Sequence, residues 1–300
     1  MKTTTYPRLT VLVTPGWDDY QLLDSGAGAK LERFGPYTFA RPEPQALWQP
    51  ALPEKAWAGA DAVFQGASSD EQEGGRWQFR HAIDERWPMR YKHLRFWAQA
   101  TPFRHLGVFP EQASHWDWMS EQIAAAHRPV RVLNLFGYTG LSTLAAASAG
   151  ASVTHVDASK KTIAWARENQ ALSGLSDNPI RWLIDDAMKF VQREARRKAS
   201  YDGLILDPPK FGRGPKGEIW KLHESLPALL SACRAIMSDS PLFIILTAYA
   251  IRASALSLYY ALEAMMSGYD GSVTVGEMGL VEQSANRVLS TAIFARWGRQ

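Results

Sequence analysis

Three hundred residues, 46% of them hydrophobic and 21% charged, can bury a large core without covalent staples and suit about two domains. A single cysteine, Cys233, excludes an intrachain disulfide and a cysteine-based metal site, and no metal centre is expected. The formal net charge of +3 is too small to argue by itself for a polyanionic partner.

The first residues, Met1-Lys2-Thr3-Thr4-Thr5, lack the apolar core of a signal peptide, and the longest apolar runs, such as 242–246, fall far short of a membrane span. The expected location is therefore cytoplasmic and reducing, with no membrane contact. Residues 1–85 read as a small β-rich domain. Strands are predicted at 9–13, as a pair around a Gly-rich turn within 20–33, at 37–40 and at 77–79. Prolines 36, 42, 44, 50 and 53 are expected to break up any helix, and 68–75 reads as an exposed loop tip. Residues 86–117 read as a connecting segment. Between Arg86 and His105 lie five cations (Arg86, Arg90, Lys92, Arg95, Arg104) and no acid, with Trp87, Tyr91, Phe96, Trp97 and Phe103 between them. Such a pattern suits stacked bases and phosphates. It equally suits a basic amphipathic helix whose aromatics pack on the core.

Residues 118–300 form the larger domain, in which strands and helices alternate. Strands are predicted at 130–135, 152–156, 180–184, 203–206 and 242–246. The helices fall at 119–127, 142–149, 160–173, 187–197, 223–237 and 253–266, and two strands, 272–280 and 288–297, close the chain. Cys233 lies in one of these helices and reads as a packed core thiol. The alternation predicts an α/β fold, a doubly wound, mostly parallel Rossmann-like sheet beside the small β-rich domain, with ligands at the carboxyl ends of the strands.

Four consecutive strand ends carry polar or glycine-rich loops. The first is Asn134-Leu135-Phe136-Gly137-Tyr138-Thr139-Gly140. Its two glycines allow a sharp turn and close approach to a ligand, and the next helix offers free N–H groups to a carboxylate or phosphate. It is not the G-x-G-x-x-G fingerprint of dinucleotide enzymes. The second is Val156-Asp157-Ala158-Ser159, with Asp157 20 residues after Gly137. An acid there accepts from both hydroxyls of a ribose in nucleoside-binding α/β folds; Asp157 or Ser159 also suits a helix N-cap. The third, Ile184-Asp185-Asp186-Ala187, offers a carboxylate to an adenine amine or another N-cap. The fourth is Asp207-Pro208-Pro209-Lys210-Phe211, which reads either as a stiff strand-to-helix turn or as a loop turning carbonyls and a carboxylate toward a ligand.

That ordered set resembles the class I S-adenosylmethionine-dependent methyltransferases over about residues 105–297. Within them it is most similar to the bacterial family that includes the large-subunit ribosomal RNA methyltransferases forming 5-methylcytosine or 7-methylguanine. The resemblance implies S-adenosyl-L-methionine as cofactor. It implies that Gly137, Thr139 and Gly140 line the methionyl part, within a pocket that also takes in Asn134, Phe136, Tyr138, Ala158, Ser159 and Asp185. Asp157 would then hold the ribose and Asp186 the adenine. Gly107-Val108-Phe109-Pro110-Glu111-Gln112 resembles the approach to the pocket, making Gln112 a further contact; a turn before the helix is its plain alternative. The catalytic loop implied is Asp207, Pro208, Pro209, Lys210 and Phe211, whose carboxylate or carbonyls grip the target base while the aromatic stacks on it.

One feature of those relatives is missing. Cytosine C5 methylation needs covalent attack by a cysteine, which relatives carry just after the fifth strand. This chain reads Leu246-Thr247-Ala248-Tyr249-Ala250 there. The expectation is therefore methylation of an RNA base, in ribosomal RNA, without a C5-cytosine mechanism. The RNA would be held through the basic segments 86–104 and 210–221. Tyr249 would line the acceptor pocket or serve a structural role. The competing readings are a methyltransferase for a small molecule or protein, and a non-catalytic RNA-binding factor that retains the cofactor fold.

Overall fold

The structure, a computed structural model, describes residues 6–66, 75–249 and 251–299. The loop tip expected at 68–75 falls almost wholly outside them. The chain divides into two compact units. One comprises the residues up to Leu12, His115–Met278 and Ala292 onward; the other comprises Val13–Ser114 with Gly279–Thr291.

The first unit holds an eight-stranded sheet. Its parallel part comprises β9 (Arg131–Leu135), β10 (Ser152–Asp157), β11 (Ile180–Ile184), β12 (Gly203–Leu206) and β15 (Phe243–Ala248). The order across the sheet is β1 (Leu9–Val13), β16 (Ser272–Val281), β17 (Val288–Gly298), β15, β12, β9, β10, β11. β9 pairs in parallel with β10 on one side and with β12 on the other, and β17 runs antiparallel to β15. The chain leaves β9 toward β10 and later returns on the opposite side. The carboxyl end of β9 is therefore the switch point at which such sheets bind ligands. Leu133, Leu135, Leu204, Leu206, Ile244 and Leu246 are fully buried, as strands covered on both faces require. Against them pack α6 (Leu222–Arg234), through Leu226, Leu229 and Cys233, and α7 (Ala255–Met265), through Leu258 and Leu262.

Helices α2 (Ala113–Ala125), α3 (Leu141–Ser148), α4 (Lys160–Leu172) and α5 (Ala187–Arg196) complete the alternation. α4 is capped by the Ser159 hydroxyl and α5 by the Asp186 carboxylate. Periodicity did not reveal a small ribbon, β13 (Phe211–Arg213) and β14 (Ile219–Lys221), directly after the Asp-Pro-Pro loop.

The second unit carries a five-stranded sheet, β2 (Tyr20–Gly26), β3 (Ala29–Phe34), β4 (Tyr37–Pro42), β5 (Ala62–Gly66) and β6 (Gly75–Phe79), with β4 and β5 parallel and the other neighbours antiparallel. Two corrections arise here. A short helix, α1 (Glu54–Ala58), forms among the prolines expected to exclude one, because Pro53 occupies its N-cap, where no N–H is needed. The basic-aromatic stretch is no amphipathic helix. It is an antiparallel hairpin, β7 (Trp87–Tyr91) with β8 (Leu94–Ala98), and period-two alternation buries Trp87, Met89 and Tyr91 while Arg90 stays exposed.

No described helix is long and apolar enough to cross a membrane, and no group of three or more His, Cys, Asp or Glu side chains among the described residues is placed to hold a metal ion.

Candidate active site

The four polar loops expected from the sequence stand at the carboxyl ends of β9, β10, β11 and β12, adjacent strands of one sheet. The β9 loop is the most strained. Phe136, Tyr138 and Gly140 all have left-handed backbones, with φ of 59°, 48° and 86°. A bulky aromatic in that region is rare and costs of order 1–3 kcal/mol. Gly137 lies between them over the ring of His155, and a Cβ there would sit 2.3 Å from that ring. At Gly140 a Cβ would meet Ala166 at 2.9 Å and the Trp182 ring at 3.2 Å. Gly140 is the N-cap of α3, whose first turn therefore has no capping side chain.

Beneath the loop runs a buried polar chain. Asn134 donates its amide to the Thr143 hydroxyl at 2.9 Å, and that hydroxyl lies 2.8 Å from Nδ1 of His155. Burial holds His155 neutral, with its pKa lowered to about 3. The ring packs on Trp182 at 4.6 Å between centroids, and the Trp182 indole donates to Gln170. Asn134 is 1% exposed and faces Thr143, so its side chain supports the loop from below instead of facing a ligand. Thr139 is equally buried, and its carbonyl accepts from Asn169 at 3.0 Å.

Asp157 ties the loops together. Its Oδ2 accepts from the Tyr138 N–H at 3.0 Å, and its Oδ1 accepts from the Ser159 N–H at 2.8 Å and the Thr162 hydroxyl at 2.9 Å. A carboxylate has about four acceptor positions, so one remains, on Oδ2. The helix cap itself is Ser159, which accepts from the Thr162 N–H at 3.3 Å. Asp157 is thus free of the capping role, but it has room for a single further donor where the sequence suggested two. At β11 the N-cap alternative is realised: Asp186 accepts from the Lys189 N–H at 2.9 Å, while Asp185 pairs with Arg193 and accepts from the Asp186 N–H. Gln112 is buried in the short 3-10 turn Pro110–Gln112 of the other unit.

At β12, Asp207 is half-buried, Pro208 buried, and Pro209, Lys210 and Phe211 exposed. The Pro209 carbonyl accepts from the indole of Trp220 at 2.7 Å, and the Lys210 carbonyl from the Leu222 N–H at 3.0 Å. Trp220 also packs on Phe136 at 4.9 Å between ring centroids, which links the fourth loop to the first. Neither Trp220 nor His155 was expected at the site. A lone His on a strand and a lone Trp on a three-residue strand give no periodic signal.

A profile of the S-adenosylmethionine-dependent methyltransferases matches residues 54–239. The chain belongs to that family. It is 48% identical to a SAM-dependent methyltransferase from Agrobacterium tumefaciens whose crystal structure superposes with a TM-score of 0.92, covering 100% of this chain and 98% of that one. A putative methyltransferase, SMU.776, complexed with SAH, shares the fold at a TM-score of 0.69 and 16% identity, over 93% of this chain and 75% of its own. Over 90 residues the chain is 43% identical to the ribosomal RNA large subunit methyltransferase K/L of Shewanella sp. (strain ANA-3), a match that spans 29% of this chain and only 13% of that protein. The enzyme is therefore an S-adenosylmethionine-dependent methyltransferase. Its site suits that cofactor: the two glycines let the β9 loop lie close against His155, Ala166 and Trp182, and a carboxylate with one open acceptor position stands at the end of the next strand.

The methyltransferase's other candidate features are placed differently. Cys233 is fully buried in α6, and burial pushes its thiol up to about 12, far from nucleophilic readiness. Of the aromatics in 86–104, Trp87, Tyr91 and Phe96 are at most 2% exposed and cannot stack on bases; the alternation that turns Arg90 and Arg95 outward turns these rings inward. Tyr249 is half-buried and packs beside Met278 and Phe294.

Proposed function

We propose that this methyltransferase modifies a base of ribosomal RNA, at an acceptor atom that needs no covalent activation. The observation that carries this reading is the Asp207–Phe211 loop itself: a half-buried carboxylate, two prolines and an exposed aromatic at the switch point, followed by a cationic ribbon. The partial identity to ribosomal RNA methyltransferases supports it.

S-adenosylmethionine supplies an electrophilic methyl group on its sulfonium. The backbone of Gly137, Thr139 and Gly140 lines its methionyl part, and the uncapped start of α3 faces its carboxylate. Asp157 receives one ribose hydroxyl on Oδ2, and Asp186 uses the oxygen not engaged by Lys189 for the adenine amine. Asp207 holds the amino edge of the target base, and Phe211 stacks on its face, a contact of about 1–3 kcal/mol that offsets the cost of unstacking. Trp220 keeps the Pro209 carbonyl engaged and so fixes the loop that carries both groups. The protein contributes in-line placement, which can account for roughly 7–11 kcal/mol of barrier. With Cys233 buried, the acceptor is a ring or exocyclic nitrogen and not cytosine C5.

Mass mapping of ribosomal RNA from a deletion strain tests the reading. Loss of one base methylation, restored by the purified enzyme and S-adenosylmethionine, is the expected result. An unchanged methylation map would direct the search to small molecules or proteins as acceptors.

A further inference from the structure

The ribbon β13–β14 has no counterpart in the motif set, and its geometry is specific. Phe211 stands opposite Lys221, Gly212 opposite Trp220, and Arg213 opposite Ile219. Side chains alternate across a strand, so Phe211, Lys221, Arg213 and Ile219 share one face and Trp220 points from the other. Burial follows this division. Trp220 is 6% exposed, seated on Phe136 and bonded to the Pro209 carbonyl, whereas Phe211 is 47% and Ile219 62% exposed, with Arg213 and Lys221 also in solvent. A two-stranded ribbon of three residues a side is marginal alone; here Trp220 anchors it rigidly beside the switch point.

The outward face pairs apolar with cationic side chains in both rows. The one acid in the ribbon's turn, Glu218, is drawn to Lys189 on α5 at 2.5 Å. Among the described residues neither Lys210 nor Arg213 meets a carboxylate, and Lys221 meets only the exposed Glu224. An aromatic and an aliphatic side chain at diagonal positions of the two strands, about 7–8 Å apart and flanked by guanidinium and ammonium groups, match unstacked bases on a phosphate chain. A duplex offers no base face to such a surface, because its bases are stacked inside.

We propose that the outer face of β13–β14 binds a single-stranded RNA segment flanking the target nucleotide, with Ile219 against a neighbouring base and Arg213 and Lys221 on phosphates, so that the enzyme takes its acceptor from an unpaired region. This rests on the RNA reading above. It adds the conformation of the acceptor and a second contact point beyond Phe211.

The test uses the full-length enzyme with S-adenosylhomocysteine and a fluorescein-labelled RNA, either single-stranded or annealed to its complement, followed by anisotropy over a range of salt. The single strand should bind more tightly than the duplex. Arg213→Gln should lower the salt slope for the single strand by about 0.7. Ile219→Ser removes an apolar contact and should weaken binding about 5-fold or more without changing the slope. Calorimetric affinity for S-adenosylhomocysteine should stay the same in both variants and so report an intact fold. Equal binding of duplex and single strand, or single-strand binding indifferent to both substitutions, overturns the inference while leaving an RNA substrate standing. Absence of binding to either RNA overturns the RNA reading itself.

Discussion

Gly137→Ala is the sharpest probe of how the cofactor loop is built. The glycine's φ lies outside the left-handed region, so alanine meets no backbone penalty there, and the whole effect is steric. The new methyl group would lie 2.3 Å from the His155 ring and must retreat to at least 3.4 Å, a shift of about 1.1 Å. His155 has little freedom to give way, being fully buried, bonded to Thr143 at 2.8 Å and packed on Trp182. The half-exposed loop therefore moves. Overpacking of this kind costs about 1–3 kcal/mol, which corresponds to roughly 5- to 150-fold in affinity if it falls on the bound state. A displacement near 1 Å can also cost about 100-fold in turnover through misalignment. Isothermal titration with S-adenosylmethionine, repeated in a His155→Ala background where the ring is gone, isolates the cause. There Gly137→Ala should cost no more than about twofold. Unchanged affinity in the single variant, or the same loss in both backgrounds, refutes the claim that the His155 ring sets the height of the loop.

Asp157→Ala should weaken S-adenosylmethionine binding about 10- to 100-fold in calorimetry, because it removes a charge-assisted contact and releases Tyr138, Ser159 and Thr162 together; intact affinity would show that this carboxylate does not hold the ribose. Cys233→Ser should lower the melting temperature by putting a hydroxyl into an apolar core, yet leave turnover per folded molecule unchanged; selective loss of turnover would restore the covalent mechanism. Trp220→Phe keeps the packing but leaves the Pro209 carbonyl without its indole donor, so the methylation rate should fall about 5- to 50-fold with S-adenosylmethionine affinity constant; equal loss in both would place Trp220 in the cofactor pocket. Burial holds His115 and His155 near pKa 3 in the folded state. Between about pH 6.5 and 5 the unfolded chain takes up protons that these rings refuse, so stability should fall with pH by up to about 1.4 kcal/mol per unit and residue. Urea melts at stepped pH measure this, and a flat profile would mean that both rings gain partners and protonate in place.

The architecture of the loops after β9 and β10 was legible because their geometry constrains residue type. A turn with left-handed residues at 136, 138 and 140, closing over a histidine, needs glycine at 137 for space and at 140 for backbone, and both are visible as letters. The acids at 157 and 186 were legible for the same reason, although their local duties as loop brace and helix cap emerge only from geometry. The parallel strands were placed within a residue or two, since a strand buried on both faces is a short apolar run between polar loops. What escaped was structure defined by pairing. β5, β7, β8, β13 and β14 exist because partner strands satisfy their backbones. A three-residue strand carries too few side chains to show a period. The basic-aromatic segment misled because its composition is that of a base-stacking surface, whereas its alternation hides most of the rings.

That contrast bears on how specificity arises in this enzyme. In the proposed reading the loops after β9, β10 and β11 hold the cofactor, and their side chains are largely committed to one another: Asp157 has one acceptor position open, Asp186 caps α5, and Asp185 holds Arg193. Little there can vary without unseating these loops. The ribbon after β12 is the reverse. Its inner side is fixed by Trp220, on the Pro209 carbonyl and the Phe136 ring, and its turn by the Glu218–Lys189 pair, while Phe211, Arg213 and Ile219 stand in solvent and Lys221 meets only the exposed Glu224. Because Phe136 is itself one of the strained residues of the β9 loop, Trp220 links that loop to the ribbon. Rigid support with an uncommitted outer face lets a fixed transfer site be matched to a particular acceptor by changing a handful of side chains. Substrate choice in this methyltransferase should therefore reside in Phe211, Arg213, Ile219 and Lys221 more than in any residue of the motif loops.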